Sequence, residues 1–365
     1  MNSGIKSVIV CTGGGTGGHV FPGLAVIKEL KTRYDSKVFW IGSKKGIEKA
    51  IIERSGIPFH GIPSGKLRRY FSLKNIFDIF RIFGGLFSSF FILRKIKPDA
   101  LFSKGGYVSV PPVIAAGLLK IPVITHESDV DPGLATRINS RFADKICVSW
   151  EETFQFFSEN IRHKLQLTGN PVREEFMDGD AEKGREILGF PKDGFCILIL
   201  GGSLGARQIN LLVREMLPDL LGKAYIVHQT GEEMYAESSA EGYKTFPFIY
   251  EELPDIFAAA DIIISRAGAN ILSEGAALGK PFILIPLSGS GTRGDQVRNA
   301  GLFTEKGAAL MFMDEDVKTE KITPEILRLV NNRNVCREMG EKAKALSDPL
   351  SARKIADIIQ ECTGK

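Results

Sequence analysis

The strongest constraint on this chain is one stretch, Cys11-Thr12-Gly13-Gly14-Gly15-Thr16-Gly17-Gly18-His19. The apolar run Ser7-Val8-Ile9-Val10 precedes it and reads as a buried strand. Pro22-Gly23-Leu24-Ala25-Val26-Ile27-Lys28-Glu29-Leu30 follows and reads as a helix with proline in its first turn. Strand, glycine loop and helix make an anion cradle, because bare backbone N–H groups and a helix N-terminus converge on one point that no side chain obstructs. His19 stands at the rim and is the side chain there that can move a proton near neutral pH.

The device recurs. Cys196-Ile197-Leu198-Ile199-Leu200 runs into Gly201-Gly202-Ser203-Leu204-Gly205-Ala206 and a helix from about Arg207. Before it, apolar runs at 8–10, 38–41, 100–102, 123–125, 146–148 and 165–167 alternate with helical patterns. After it come runs at 224–227, 246–249, 262–264, 282–285 and 310–312. Such alternation predicts parallel α/β sheets, here two Rossmann-like domains. The 365 residues suffice for both. The expected division is 1–168 and 169–349, with a hinge near 169–173 and a last helix, within 350–365, that returns to the first domain. A ligand is expected in the cleft, beyond the carboxyl ends of the strands.

Composition narrows the class. Hydrophobic residues are 44% and charged residues 25%, as in a well-cored soluble protein. No basic region followed by a long apolar stretch opens the chain, so no signal peptide is expected. Five scattered cysteines, none at zinc-ligand spacing, suggest reduced buried thiols in a cytoplasmic protein. Net charge is +4 but uneven. Residues 66–97 hold eight basic residues against Asp78 alone, a local +7 that leaves −3 elsewhere, and seven of the 24 phenylalanines. The uncharged run 82–93 is shorter than the about 20 residues a bilayer needs. The phenylalanines recur at helical spacing and fit a core face, yet a core helix needs no collar of Lys and Arg. An anionic membrane surface fits both features, and nucleic acid is not expected.

Several motifs carry chemistry. Gly13, Gly15 and Gly18 satisfy G-x-G-x-x-G, but the second strand ends Trp40-Ile41-Gly42-Ser43 without the acid that holds a dinucleotide's ribose, which disfavours NAD. Ser203 sits in a G-x-S-x-G, but only His228 follows it, on the next strand. The serine is better read as a hydrogen-bond donor to phosphate than as a nucleophile. Asp129-Val130-Asp131 could hold a divalent ion against a diphosphate or simply form a turn. Since the glycine loops and Arg173 could neutralise a diphosphate, no metal or other cofactor is expected. Glu274 lies early in a helix opened by Ser265-Arg266-Ala267-Gly268-Ala269. It is either an acid favoured near a helix N-terminus or an acceptor for ribose hydroxyls. His126 and Glu127 end a strand, and Ser103-Lys104-Gly105-Gly106-Tyr107 is a glycine turn at another. His60, His163 and His228 are read as structural.

The residues together resemble a family. Gly14 to Ala25, Gly105-Gly106-Tyr107, Pro132-Gly133-Leu134-Ala135, Gly169-Asn170-Pro171-Val172-Arg173, Gly201 to Arg207, Gly268 to Glu274, and Gln296 with Asn299-Ala300 match, in order, the MurG family. These bacterial glycosyltransferases move N-acetylglucosamine from UDP-N-acetylglucosamine to undecaprenyl-pyrophosphoryl-N-acetylmuramyl-pentapeptide. The resemblance implies a GT-B fold, metal-independent inverting transfer to a C4 hydroxyl, and peripheral attachment to the cytoplasmic face of the cell membrane, in reach of other cell-wall synthesis proteins. It places Thr16, Gly17 and Gly18 at the substrate phosphates and Arg173 and Ser203 at the donor diphosphate. Uracil would meet the backbone near Ile249. Ala269, Asn270, Ile271, Leu272 and Ser273 would wrap the nucleotide, Glu274 would take the ribose and Gln296 the sugar. His19 is the expected general base. The chain departs from the family pattern at Ser128-Asp129 and at Asp295, and neither acid is assigned a role. A related transferase with another lipid acceptor, such as diacylglycerol, and a non-catalytic UDP-sugar-binding protein are the alternatives.

Overall fold

A computed structural model describes residues 7–65, 73–201, 205–289 and 292–365, and the side chains of 73–77 lie outside that description. Two compact units divide the chain, one of residues 1–173 and 348–365, the other of 174–347.

Among the described residues, the first unit is built on seven strands: β1 (Val8–Thr12), β2 (Lys37–Ser43), β3 (Phe59–Ile62), β4 (Ala100–Ser103), β5 (Val123–Glu127), β6 (Lys145–Val148) and β7 (Leu165–Leu167). Their order is β3-β2-β1-β4-β5-β6-β7, all parallel. Parallel strands are covered on both faces and read as continuous apolar runs, which is why β1, with Ile9, Val10 and Cys11 fully buried, was legible. β3 was not, because Phe-His-Gly-Ile at the sheet edge holds no such run. One apolar layer gathers Ile9, Cys11, Trp40 and Phe102 with Ile355, Ala356 and Ile359 of the Ser351–Thr363 helix, so the chain's last helix shares the first unit's core.

The second unit holds β8 (Cys196–Leu200), β9 (Tyr225–Gln229), β10 (Tyr243–Phe246), β11 (Ile262–Ser265), β12 (Phe282–Leu284) and β13 (Ala309–Met311), ordered β10-β9-β8-β11-β12-β13 and again all parallel. The strand expected at 246–249 ends at Phe246, because Pro247 has no N–H for the ladder. In both sheets the order reverses beside the first strand of the unit: between β1 and β4, and between β8 and β11. At such a switch point adjacent loops part, and a crevice opens beyond the strand ends.

The five cysteines are free thiols, four of them buried.

Candidate functional site

Loops at the switch point of the first unit bring the glycine stretch and the 103–107 turn together. The Gly17–Tyr34 helix starts five residues ahead of Pro22, with Thr16 in extended conformation as its N-cap. Pro22 is therefore inside the helix rather than in its first turn. No acidic side chain lies in that first turn, and the Thr16 hydroxyl does not cap it. The loop is not simply bare N–H. Glu48, fully buried, accepts from Ser43 N–H at 2.8 Å and Gly15 N–H at 3.3 Å. A Cβ on Gly14 would stand 2.5 Å from the same carboxylate, and one on Gly15 would stand 2.6 Å from the Tyr107 ring. The glycines are there because a carboxylate and a phenol occupy the space a side chain would need.

Facing them, Gly105 and Gly106 have φ of 91° and 79°, which only glycine adopts without strain. This turn lays the Lys104 carbonyl 3.3 Å from His19 Nδ1. A carbonyl only accepts, so Nδ1 carries a proton, and in the neutral form of the ring the lone pair is on Nε2. His19 is half-buried and Thr16 exposed. Arg173, at the end of the first unit, lies with its guanidinium 4.9 Å over the Phe21 ring, and a Cβ on Gly17 would touch that ring at 3.1 Å. Thr16, Gly17, Gly18, His19 and Arg173 thus share one end of one helix.

Beside them stands a buried polar cluster that the sequence only hinted at. Glu127 accepts four hydrogen bonds, from Ser128 and Asp129 N–H, Gly133 N–H and the Thr136 hydroxyl. Asp131 is paired with Arg137 at 2.8 Å. His126 donates from Nε2 to the Gly169 carbonyl, and burial with the nearby Lys104 charge holds its pKa well below the usual range, so the ring stays neutral. Lys104 itself is buried, and desolvation brings its pKa down to about 8 against the pull of Glu127 and Asp129. Among the described residues, no group of three or more His, Cys, Asp and Glu is placed to hold a metal ion.

In the second unit, Ser203 lies outside the described residues. Around the β8/β11 switch point, Asn299 Nδ2 donates to the Ala267 carbonyl at 3.1 Å, tying the Asp295–Glu305 helix to the turn that opens the Ala269–Ala277 helix. Glu274 lies on the second of these helices and Gln296 on the first. Ser273 and Glu274 are buried, Leu272 is core, and Asn270 and Ile271 are half-buried. Gln296 Oε1 accepts from Leu287 N–H at 2.8 Å, which fixes the amide so that its NH2 is the end offered elsewhere. Ile249 N–H donates to Gln229 Oε1 at 3.0 Å, so this amide presents its carbonyl rather than its N–H. His228 is held between Tyr243 OH at 2.9 Å and Asn210 Oδ1 at 3.0 Å. It is a structural residue, without an acid partner among those contacts.

The Leu73–Ile96 helix divides its phenylalanines between a packed face and an exposed one. Leu86, Phe90 and Leu93 pack on the core, while Phe80, Phe83, Phe87 and Phe91 are 71%, 56%, 66% and 66% exposed. The stripe is a surface, flanked by exposed Arg81, Arg94, Lys95 and Lys97. Lys66, Arg68 and Arg69 lie outside the described residues. No described helix is long and apolar enough to cross a membrane.

Comparison with known proteins agrees with both units. Residues 9–148 match the glycosyltransferase family 28 N-terminal domain, and residues 196–361 match the family 28 C-terminal domain. The UDP-N-acetylglucosamine–N-acetylmuramyl-(pentapeptide) pyrophosphoryl-undecaprenol N-acetylglucosamine transferase of Treponema denticola is 45% identical over 96% of this chain and 97% of that protein. A Bacillus cereus protein of the same name is 48% identical over 92% and 94%. The crystal structure of Acinetobacter baumannii MurG superposes with a TM-score of 0.71 at 30% identity, over 98% of this chain and all of that one. A UDP-GlcNAc 2-epimerase from Neisseria meningitidis, at 18% identity and a TM-score of 0.70, shares the fold alone. With both halves matched in order and close to half of all residues shared along almost the whole length, the chain belongs to glycosyltransferase family 28, and within it to the MurG family of N-acetylglucosamine transferases.

Proposed function

We propose that the chain transfers N-acetylglucosamine from UDP-N-acetylglucosamine to the C4 hydroxyl of undecaprenyl-pyrophosphoryl-N-acetylmuramyl-pentapeptide, by one inverting displacement. The observation that carries the mechanism is the His19–Lys104 contact. With Nδ1 committed to a carbonyl, Nε2 is the atom that takes the proton as the acceptor hydroxyl attacks the anomeric carbon. The anomeric carbon's bond to the diphosphate oxygen breaks, and UDP leaves with the electron pair. Arg173 and the backbone N–H groups at Thr16, Gly17 and Gly18 supply positive potential for the phosphates, with Ser203 as a further donor. Electrostatic groups fixed in advance of the reaction are worth most there.

On the donor side, the Ile249 carbonyl suits a uracil N–H, the Ala269–Ala277 helix start lies along the nucleotide, Glu274 accepts from ribose hydroxyls, and the Gln296 NH2 meets the sugar. The acceptor ends in a lipid, so the enzyme must work at a membrane. The exposed Phe80-Phe83-Phe87-Phe91 stripe and its basic flank suit the anionic cytoplasmic leaflet, each cation contributing about 1 kcal/mol near the surface.

The test is transfer from UDP-N-acetylglucosamine to the lipid-linked muramyl acceptor, with diacylglycerol as the competing acceptor and with and without a chelator. Activity on the muramyl lipid, unaffected by chelation, is expected. His19→Ala should keep UDP affinity and lose about 10²–10⁴-fold in kcat. Near-normal turnover in that variant removes His19 from the role of base.

A further inference from the structure

Lys104 is the first residue after β4, and it is 1% exposed. Its stem lies under the glycine loop, since a Cβ on Gly13 would stand 3.4 Å from Lys104 Cβ. Its Nζ donates to Ser128 Oγ. An ammonium has no acceptor, so the Ser128 hydroxyl must pass its own proton onward, and it donates to Asn170 Oδ1 at 3.0 Å. Asn170 is buried, and its neighbour Gly169 is held by His126 Nε2 at 2.9 Å. Three residues further on is Arg173, over Phe21. On its other side the same Lys104 presents the carbonyl that fixes His19. One residue therefore touches His19 directly and reaches, through Ser128, the segment that carries Arg173. Core packing does not explain a lysine here, because a buried ammonium costs desolvation energy that an apolar side chain of the same length would not.

We propose that Lys104 is a positioning residue of the transfer: its ammonium, through Ser128 and Asn170, holds the 169–173 segment so that Arg173 meets the departing diphosphate, while its carbonyl holds the base. This rests on the roles given above to His19 and Arg173. The charged and titratable groups facing Lys104 are Glu127 at the end of β5 and Asp129 just beyond it, which favour its proton, and His126 and His19, whose protonation would oppose it. Because the ammonium loses its proton around pH 8, the relay weakens in the alkaline range and turnover falls with it.

The experiment is acceptor-dependent UDP release by the full chain from pH 6.5 to 10, for wild type, Lys104→Met and Ser128→Ala, with a melting curve for each. We expect an alkaline limb near pH 8 in wild-type kcat and a 10- to 100-fold loss of kcat in K104M, with the limb gone. The KM for UDP-N-acetylglucosamine should stay within about threefold, since misplacement of a group acting at the transition state falls on kcat. K104M should melt no lower than wild type, because Glu127 already has four donors. S128A should lose kcat several-fold, with a diminished limb. A wild-type profile flat to pH 9.5, K104M within twofold of wild type, or lost activity matched by a lower melting point with S128A unaffected would each overturn the proposal. If K104M does not fold, S128A and the wild-type profile decide alone. No acceptor-dependent release by the wild type would instead count against the proposed function.

Discussion

Removing the Glu127 carboxylate tests how much of the first unit's site is built by a single buried anion. It is 6% exposed and accepts from Ser128 N–H at 2.9 Å, Asp129 N–H at 3.1 Å, Gly133 N–H at 2.9 Å and Thr136 Oγ1 at 2.6 Å. Glu127→Ala leaves three amides and a hydroxyl without that acceptor. Each such loss costs about 1–3 kcal/mol, so even the lower figure gives a total near 4 kcal/mol. Glu127→Gln keeps the Oε1 acceptor, and the Thr136 hydroxyl can turn to accept. Only Gly133 N–H is then set against a like donor, for about 2 kcal/mol. The chain's two tryptophans, Trp40 and Trp150, both lie in the first unit, and Trp150 donates to the Ser128 carbonyl beside the carboxylate. Urea unfolding followed by tryptophan fluorescence therefore reports on this unit alone. With a slope of about 2 kcal/mol/M, the midpoint should fall by roughly 2 M in the alanine variant and roughly 1 M in the glutamine variant. An alanine midpoint within about 0.5 M of wild type, or two variants that behave alike, would refute this account of the 128–136 loop.

Three further outcomes follow from the structure. Replacing Phe80, Phe87 and Phe91 together by Ser should abolish sedimentation with vesicles containing phosphatidylglycerol and leave melting unchanged, since all three are exposed; retained binding would place the membrane contact elsewhere. Gly106→Ala, at φ 79° and with its Cβ 2.9 Å from His19 Cδ2 and closer still to the Gly14 carbonyl, should lose at least 10-fold in kcat, and full activity would show that the turn can move aside. His228 has its pKa lowered to about 4 by burial and the Arg214 charge. The unfolded chain therefore binds the extra proton between about pH 6.5 and 4, and the stability of the second unit should fall as pH drops through that window, by up to about 3 kcal/mol. Calorimetry at stepped pH reads this, and His228→Asn should flatten the slope.

What could be read ahead of the structure was local, and what could not was contact across the chain. Apolar runs announced eleven of the thirteen strands among the described residues, because a parallel strand buried on both faces writes itself as Val, Ile and Leu. β3 escaped for want of such a run, and β10 was shifted by the proline that ends it. The phenylalanine spacing fixed a helix face but not its direction. Period alone is the same for a face turned to the core and one turned to solvent, and only the packing of Leu86, Phe90 and Leu93 decides. The glycine loop was legible as a loop, and its function only in part. The carboxylate that takes Gly15 N–H sits 33 residues away, and the relay from Lys104 spans 24 residues to Ser128 and 42 more to Asn170. No period or motif encodes such pairs. One clue did lie in the sequence: Ser128-Asp129 departs from the family pattern, and it is Ser128 that receives the Lys104 ammonium while Asp129 adds to the field that keeps it charged. A lysine buried under the loop and a serine at the strand end two positions beyond His126 are explicable only as a pair, so a chain that lacked either should lack both.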